Sequence, residues 1–282
     1  MSKFLLFSLL LWPAASLAQT FTFTAIPDQD ESRLVERFGR VERYLEERLG
    51  IDVRYVPVKS YAAAVTAFRN NQVQLAWFGG LSGVQARRLV PNSVVIAQGA
   101  EDRAFKSYII ANTAIGLEPG DLLSTAIAGH TFTFGSKGST SGRLMPEFFI
   151  RELFDKAPED LFRRVGFSGD HSRTIDLVES GVFEIGAVNF EVWETELANG
   201  RIDTSKVQVI WETPAYPDYQ WTARGDLRDR FGTEIYDALR DAFLSLDDPD
   251  ILSAFPRSGF VSATEADYLP ILETARAVGL ID

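Results

Sequence analysis

The sequence predicts an α/β fold made of two lobes. In the first part of the chain, strand-like apolar runs alternate with amphipathic helical stretches, and the same alternation starts again beyond residue 112. This order is typical of mostly parallel sheets covered by helices. A chain of 282 residues can hold two domains that each have a core. We therefore expect lobe I to comprise residues 19–110 and 216–282 and lobe II residues 111–215, with two crossings that form a hinge.

The elements of lobe I follow from the spacing of apolar residues. Apolar positions three and four residues apart from Leu34 to Leu49 predict a helix that stops at Gly50. Ser60 is a typical N-cap for a short helix through Phe68. Strands are expected at Thr20–Ile26, Val53–Val58, Val73–Phe78 and Val94–Ala97, and the C-terminal helical regions at Leu227–Leu246, Pro249–Phe255 and Thr264–Val278.

Lobe II repeats the alternation after a strand at Ser107–Asn112. The expected order is a helix near Asp121–Ala128, the strand Thr131–Phe134, a long helix to about Ala157, the strand Val165–Phe167, a helix over Ser172–Glu179, and the strands Glu184–Asn189 and Val207–Trp211. The last of these strands leads back towards lobe I.

Composition and charge exclude several classes of partner. The chain is 46% hydrophobic and 24% charged, as in a globular protein, and its net charge of -11 argues against nucleic acid or an acidic membrane as partner. It contains no cysteine, so no disulfide framework is possible. An anionic ligand would have to be held by local dipoles and one or two cations.

The N-terminus has the pattern of a secretory signal peptide. Lys3 precedes the apolar run Phe4–Trp12, and small residues lead to a predicted cleavage site after Ala18. The segment is too short to span a membrane. We expect the mature protein to be free in an exported compartment, most simply a bacterial periplasm, and to be a monomer.

The stretch around Gly138-Ser139-Thr140-Ser141-Gly142 is the strongest candidate for a ligand site. It lies between a strand and a helix start, where free N–H groups and the helix dipole attract anions. Thr140 stands where a Walker A loop needs glycine and where a nucleophile elbow needs serine. Taken alone, the stretch is more commonly a helix capped by Ser139 or Thr140 that binds nothing.

Other candidate residues are ambiguous when each is considered by itself. His171 would more often be a surface or capping histidine, Tyr61 a half-buried helix residue, and Phe78 a core residue with the cleft wall as second choice. The segment Pro214–Trp221 interleaves aromatic residues with proline and aspartate, which is common in the lining of a small-molecule cleft. With two histidines and no cysteine, a zinc site is poorly supported.

Four segments together resemble one known family. They are Phe134–Pro146, Ser168-Gly-Asp-His171, Leu75–Gly80 and Pro214–Trp221. Together they resemble the phosphate/phosphite/phosphonate-binding proteins of ABC importers, over essentially the whole mature chain, and are most similar to the branch named for selenate binding. The resemblance implies a type II-like periplasmic binding protein whose two lobes close on a small oxyanion and deliver it to a membrane permease.

The resemblance also implies the ligand contacts. Ser139, Thr140, Ser141, His171 and Tyr61 correspond to the family's oxyanion contacts. From the residues alone, we expect Tyr216 and Phe78 as further lining of the cleft. Phe105 stands where an aromatic hydroxyl is expected, so one donor is missing. The family's acidic position falls at or beside Tyr219, next to Asp218. We expect Tyr219 to face the cleft, Asp218 to face solvent, and His171 to be the group that titrates between pH 6 and 8.

We therefore expect an oxyanion-binding protein for selenate or for phosphonate or phosphite, with no cofactor, metal or catalytic residue. The alternative is a secreted hydrolase of phosphoryl or sulfuryl esters. Its only candidate for a nucleophile with a base would be Ser139 or Thr140 with His171.

Overall fold

The computed structural model describes residues 19–282 and contains two sheets covered by helices, which confirms the predicted two-lobe α/β fold. The predicted signal peptide, residues 1–18, lies outside the described residues. The strands are β1 (Phe21–Ala25), β2 (Val53–Tyr55), β3 (Leu75–Phe78), β4 (Val94–Gly99), β5 (Ser107–Asn112), β6 (Thr131–Phe134), β7 (Arg164–Phe167), β8 (Ile185–Asn189), β9 (Val207–Glu212), β10 (Gln220–Ala223) and β11 (Phe260–Val261).

Helices connect these strands, and a further helix follows the last strand. They are α1 (Glu31–Leu49), α2 (Tyr61–Arg69), α3 (Gly80–Leu89), α4 (Met145–Phe154), α5 (Pro158–Leu161), α6 (His171–Glu179), α7 (Phe190–Ala198), α8 (Leu227–Phe231), α9 (Thr233–Leu244), α10 (Pro249–Ala254) and α11 (Leu269–Ala277). Within residues 19–282, none of them has both the length and the apolar character that a membrane span requires.

Both sheets are mixed, and the strands that run against the majority come from the other lobe or lie at the sheet edge. The first sheet has the order β11-β4-β10-β3-β1-β2, in which β10 and β11 run against the other strands. The second has the order β7-β6-β8-β5-β9, in which β5 alone runs against the rest. Strands β5 and β10 are the first strands that the chain forms after each crossing between the lobes.

The signals that set α1 act locally and were visible in the sequence. Asp30 is the N-cap, and its side chain accepts the N–H groups of Ser32 and Arg33. The helix ends where Gly50 adopts a left-handed conformation with a φ of 64°. The apolar stripe of α1 packs on the first sheet around Phe38, whose ring lies edge-on to Trp221 at 6.2 Å between centroids.

Two segments connect the lobes and lie side by side. Residues 101–106 and 213–219 pass between the sheets, and Phe105 and Tyr216 exchange backbone hydrogen bonds of 2.8 and 3.0 Å. Strand β5 pairs wholly within the second sheet, so the boundary expected at residue 110 falls inside a strand, and the crossing ends before Ser107. We propose that these paired segments are the hinge.

Three local expectations differ from the structure. The helix expected near Asp121–Ala128 is only a 3₁₀ turn at Thr125–Ile127, which Ser124 caps. Helix α7 was missed because Phe190–Ala198 directly follows β8 without a glycine or proline to separate them. Strand β10 begins inside the turn-rich segment, because Gln220 pairs with Phe78 of β3, a neighbour far away in sequence.

The packing of α6 on β8 gives a test of the lobe II core. A Cβ at Gly186 would lie 2.9 Å from the Cγ2 atoms of both Thr174 and Val178, which are themselves fully buried. Gly186→Ala should therefore lower the free energy of unfolding by about 1–3 kcal/mol through overpacking. Thermal unfolding should show a melting temperature several degrees lower. Gly259→Ala, where nothing lies within 4 Å, is the control and should melt like the parent; equal melting of both variants would contradict this packing.

Candidate functional site

The candidate site lies in the cleft between the lobes, where strands from both sheets end. Lobe I contributes the end of β3, the start of α3 and the segment Pro217–Tyr219. Lobe II contributes the loop Gly135–Gly142, His171 and Asn189. The sequence predicted this meeting of strand ends, since ligands of α/β sheets bind outside the carboxyl ends of strands.

Helix α3 begins in the cleft without a side-chain cap, because its N-cap is Gly79. Its first N–H groups are therefore free to bind opposing groups. The N–H of Gly80 donates to Asp218 Oδ1 at 2.8 Å, and the N–H of Leu81 donates to Thr140 Oγ1 at 3.0 Å. A Cβ at Gly79 would lie 3.0 Å from Asp218 Oδ1 and 3.2 Å from Thr140 Oγ1, so this close approach requires glycine. The helix start holds one polar group from each lobe.

Asp218 lies inside the cleft, so the expectation that it faces solvent is wrong. Its side chain is 1% exposed, and its backbone N–H donates to Asp102 O at 2.9 Å, which fixes the direction of the side chain. Burial raises the pKa of Asp218 to about 7, although hydrogen bonds from Gly80 N–H and the Thr140 hydroxyl oppose the rise. Oδ2 is buried without a partner among residues 19–282. It is an acceptor available to a ligand.

The loop Gly135–Gly142 both caps a helical turn and contacts lobe I. Ser139 is the N-cap of a π-helical turn, Thr140–Leu144, and its Oγ accepts the N–H of Gly142 at 2.8 Å. The carbonyl of Ser141 accepts the hydroxyl of Ser107 at 2.7 Å. The capping alternative is therefore correct for Ser139. It leaves Thr140 to contact lobe I, since its hydroxyl bonds to α3 rather than to its own helix.

His171 is a neutral donor in this cleft. Its Nδ1 accepts the N–H of Asn189 at 3.3 Å, which assigns the ring proton to Nε2. Nε2 is buried and without a partner in the described part of the chain. Burial lowers the pKa of His171 to about 4, against a smaller opposing effect of Asp28. The expectation that His171 titrates between pH 6 and 8 is wrong, because desolvation disfavours the imidazolium.

The predicted tyrosines Tyr61 and Tyr216 are buried hydroxyl groups at opposite sides of the anion loop. Tyr61 packs against Gly138 of the loop, and the hydroxyl of Tyr216 lies 2.5 Å from Ser107 Oγ. Burial raises the pKa of both phenols well above the usual value, so both remain protonated. Each can donate or accept a hydrogen bond.

Tyr219 faces the cleft as expected, but Phe78 does not. The hydroxyl of Tyr219 accepts the side-chain N–H of Asn189 at 3.0 Å, and its ring stacks on Trp77 at 5.4 Å between centroids. Phe78 packs edge-on against Phe68 in the core of lobe I. Trp77 belongs to the same core, and it also lines the small cavity beside Tyr219 and Asn189.

The two cations beside the loop both contact the ring of Phe167, and one of them is also paired with an acid. Arg143 donates to Glu147 at 3.0 Å and lies over the ring of Phe167, and Lys137 lies over the same ring from the other side of the loop. In residues 19–282, no cluster of three histidine or acidic side chains could hold a metal ion. Backbone N–H groups, hydroxyls and a neutral imidazole are the donors that remain for an anion.

Sequence reasoning missed several groups that build the cleft. Asn189 supports both His171 and Tyr219, and the backbone N–H of Gly80 holds Asp218. Asn189 had one readable signal, since it is a polar residue at the carboxyl end of a predicted strand. The role of Gly80 depends on a residue 138 positions later, and no local pattern indicates it.

The arrangement favours binding over covalent chemistry. A hydrolase would need His171 to take a proton from Ser139 or Thr140. Nε2 carries the ring proton and Nδ1 already accepts a backbone N–H, so neither nitrogen can act as the base. The hydroxyl oxygens of Ser139 and Thr140 each accept a backbone N–H and hold structure in place.

The chain matches one protein family over most of its length. The family model described as "ABC transporter, phosphonate, periplasmic substrate-binding protein" covers residues 23–268. The chain is 41% identical over 287 residues to a probable ABC transporter phosphite binding protein, PhnD1, of Prochlorococcus marinus (strain MIT 9301), covering 99% of this chain and 97% of that protein. It is 23% identical over 272 residues to the phosphonates-binding periplasmic protein of Escherichia coli (strain K12), covering 95% and 80%.

Solved structures agree with this relationship. The structure of the Prochlorococcus marinus protein in complex with methylphosphonate has a TM-score of 0.88 and covers 93% of this chain and 99% of that one. A binding protein component of an ABC phosphonate transporter from Pseudomonas aeruginosa, 21% identical, has the same fold with a TM-score of 0.80, over 93% and 87% of the two chains. These relatives are substrate-binding proteins of transporters and not enzymes. The chain belongs to the phosphonate-binding family of periplasmic substrate-binding proteins of ABC transporters.

Proposed function

We propose that this protein captures a small phosphorus oxyanion that carries a P–OH group, such as phosphite or methylphosphonate, and delivers it to an ABC permease. The observation that carries the proposal is the unpartnered Oδ2 of Asp218 inside the cleft. A carboxylate that faces a bound anion is favourable only if one proton lies between them.

Counting donors and acceptors separates the candidate ligands. The charge of Asp218 acts on the buried phenols of Tyr61 and Tyr216, and the cleft also holds the unpartnered Nε2–H of His171. A hydrogen phosphonate or hydrogen phosphite oxygen can accept from these donors while its P–OH donates to Asp218. Sulfate and selenate carry no proton near pH 7, so above the pKa of Asp218 its carboxylate would oppose them as a like charge. The proposal therefore favours phosphorus ligands and does not include selenate.

Phe105 supports a ligand with an apolar substituent. It stands where the family resemblance implies a hydroxyl, and its fully buried ring packs against Tyr219 at 5.4 Å and Phe190 at 4.8 Å. The lack of a hydroxyl donor at Phe105 weakens binding least when the ligand has a hydrogen or a methyl group in place of a fourth oxygen. The relatives named for phosphite binding and solved with methylphosphonate agree with this preference.

Calorimetry of Asp218→Asn tests this assignment. Phosphite and methylphosphonate should bind the parent, and the variant should bind them ten- to hundredfold more weakly, because a hydrogen bond to a charged group contributes about 1.5–3 kcal/mol. Sulfate should bind the variant better than the parent, since the like charge is gone. Asp229→Asn, on the surface of α8, is the matched control. If neither phosphorus ligand binds the parent, or if sulfate binds it best, the proposal is wrong.

The pH dependence should report the shared proton. Because the pKa of Asp218 is raised to about 7, the carboxylic acid is present below that pH and is lost above it. From pH 7 to 9 the parent should lose affinity for phosphite about tenfold more per pH unit than Asp218→Asn, whose amide needs no proton. Titrations of both proteins at three pH values measure this difference. Parallel pH profiles would mean that Asp218 shares no proton with the ligand.

A further inference from the structure

Helix α7 carries two glutamates that reach from lobe II to arginines of lobe I. Glu191 bonds to Arg257, and Glu196 bonds to Arg33. The two acids lie on one helix and make the same type of contact across the cleft. Their surroundings differ, because Glu196 faces two arginines whereas Glu191 shares one arginine with a second acid.

Glu196 keeps a partner whether or not the lobes are together. Besides Arg33 of lobe I, it contacts Arg201 of its own lobe at 2.7 Å. The Arg33 side chain is 30% exposed, so water reaches this pair. One carboxylate thus faces two guanidinium groups, and closure changes its charge balance little.

Glu191 meets an arginine that is already neutralised. Arg257 donates to both oxygens of Asp102, from Nε at 2.8 Å and from Nη2 at 2.7 Å, and all three residues are at most 9% exposed. Asp102 also accepts the N–H of Gly99 at 3.0 Å, and a Cβ at Gly99 would lie 2.3 Å from Asp102 Oδ2. The contacts between Asp102 and Arg257 thus lie within lobe I and do not need Glu191.

The closed cluster holds more acid than base. With both acids ionised, two carboxylates share one guanidinium, and the sealed cluster has a net charge of -1. The other charged groups that face it offer no spare cation: Glu101 lies on the same turn as Asp102, and Asp28 and Arg37 line the adjoining small cavity as a second acid and base. Burial raises the pKa of Asp102 and raises that of Glu191 to about 9.

We propose that closure of the lobes takes up one proton on the Glu191–Asp102 pair, so that a neutral cluster stands behind the bound oxyanion. The proposal rests on the proposed function, which supplies the ligand. Glu191 is then a positioning residue that couples binding to pH without touching the ligand. Arg257 links the cluster to the cleft, since its guanidinium lies over the rings of Tyr219 and Phe105 at 5.4 and 5.7 Å.

The direction of the effect follows from linkage. An exposed glutamate has a pKa of about 4.3, and the closed cluster raises it. Between about pH 4.3 and about pH 9, closure binds a proton that the open form does not hold. The affinity for the ligand therefore falls about tenfold for each pH unit of increase. This loss is separate from the proton shared with Asp218.

Calorimetry with phosphite in buffers of different ionisation enthalpy counts the protons taken up. Between pH 6.5 and 8 we expect the parent to take up about one proton more than Glu191→Gln, whose amide imitates the protonated acid. Protons on the ligand and on Asp218 are common to both proteins and cancel in the difference. Glu196→Gln, the matched control on the same helix, should take up as many protons as the parent.

The outcomes separate the two proposals. If phosphite gives no binding heat with the parent, the proposed function fails and this inference fails with it. If the parent binds but Glu191→Gln takes up the same number of protons, only the inference fails. If Glu191→Gln binds phosphite a hundredfold more weakly at every pH, an ionised Glu191 paired with Arg257 holds the lobes together. That result would also contradict a neutral cluster.

A second variant guards against a Glu191→Gln protein that does not fold. Asp218→Asn with sulfate has no titrating ligand and no carboxyl at residue 218, so any proton taken up comes from another group of the protein. We expect about one proton near pH 7.5. No uptake on sulfate binding would overturn the inference, and failure of sulfate to bind this variant would count against the ligand assignment instead.

Discussion

The cleft depends on one interaction, the hydrogen bond from the start of α3 to the carboxylate of Asp218. It fixes a negative group beside an anion site and, by occupying only Oδ1, leaves Oδ2 for a ligand. The absence of a side chain at Gly79 makes the contact possible, and the next N–H of the helix draws Thr140 of the other lobe to the same point. One uncapped helix start thus joins the lobes and orients the acceptor.

The proposed function has a protein with a net charge of -11 bind an anion in a cleft whose nearby arginines are paired with acids. Arg143 is paired with Glu147, and Arg257, behind the cleft, is paired with two carboxylates. What remains is a set of neutral donors and one acceptor, and such a set discriminates by the direction of hydrogen bonds more than by charge. In both proposals, protonation of the ligand, of Asp218 and of the cluster around Glu191 is part of recognition.

Most of the fold could be predicted because its signals are local. The period of apolar residues, the caps at Asp30 and Ser60, and the glycine that ends α1 each act within a few residues. The helix expected near Asp121–Ala128 failed because a short apolar run also satisfies a capped 3₁₀ turn. Strand β10 was hidden in a turn-rich segment because its pairing partners, β3 and β4, lie more than a hundred residues earlier.

For the site, the sequence by itself indicated which loop would lie at the cleft, since a strand, a Ser-Thr-Ser turn and a helix start are encoded side by side. It also placed His171 and Tyr219 in the cleft by family resemblance. Only the tertiary structure decided that Asp218 points inwards, that His171 is neutral with its proton on Nε2, and that Trp77 rather than Phe78 lines the cleft. Each of these depends on burial and on hydrogen bonds between residues distant in the chain, and such contacts exist only after the lobes have folded and met.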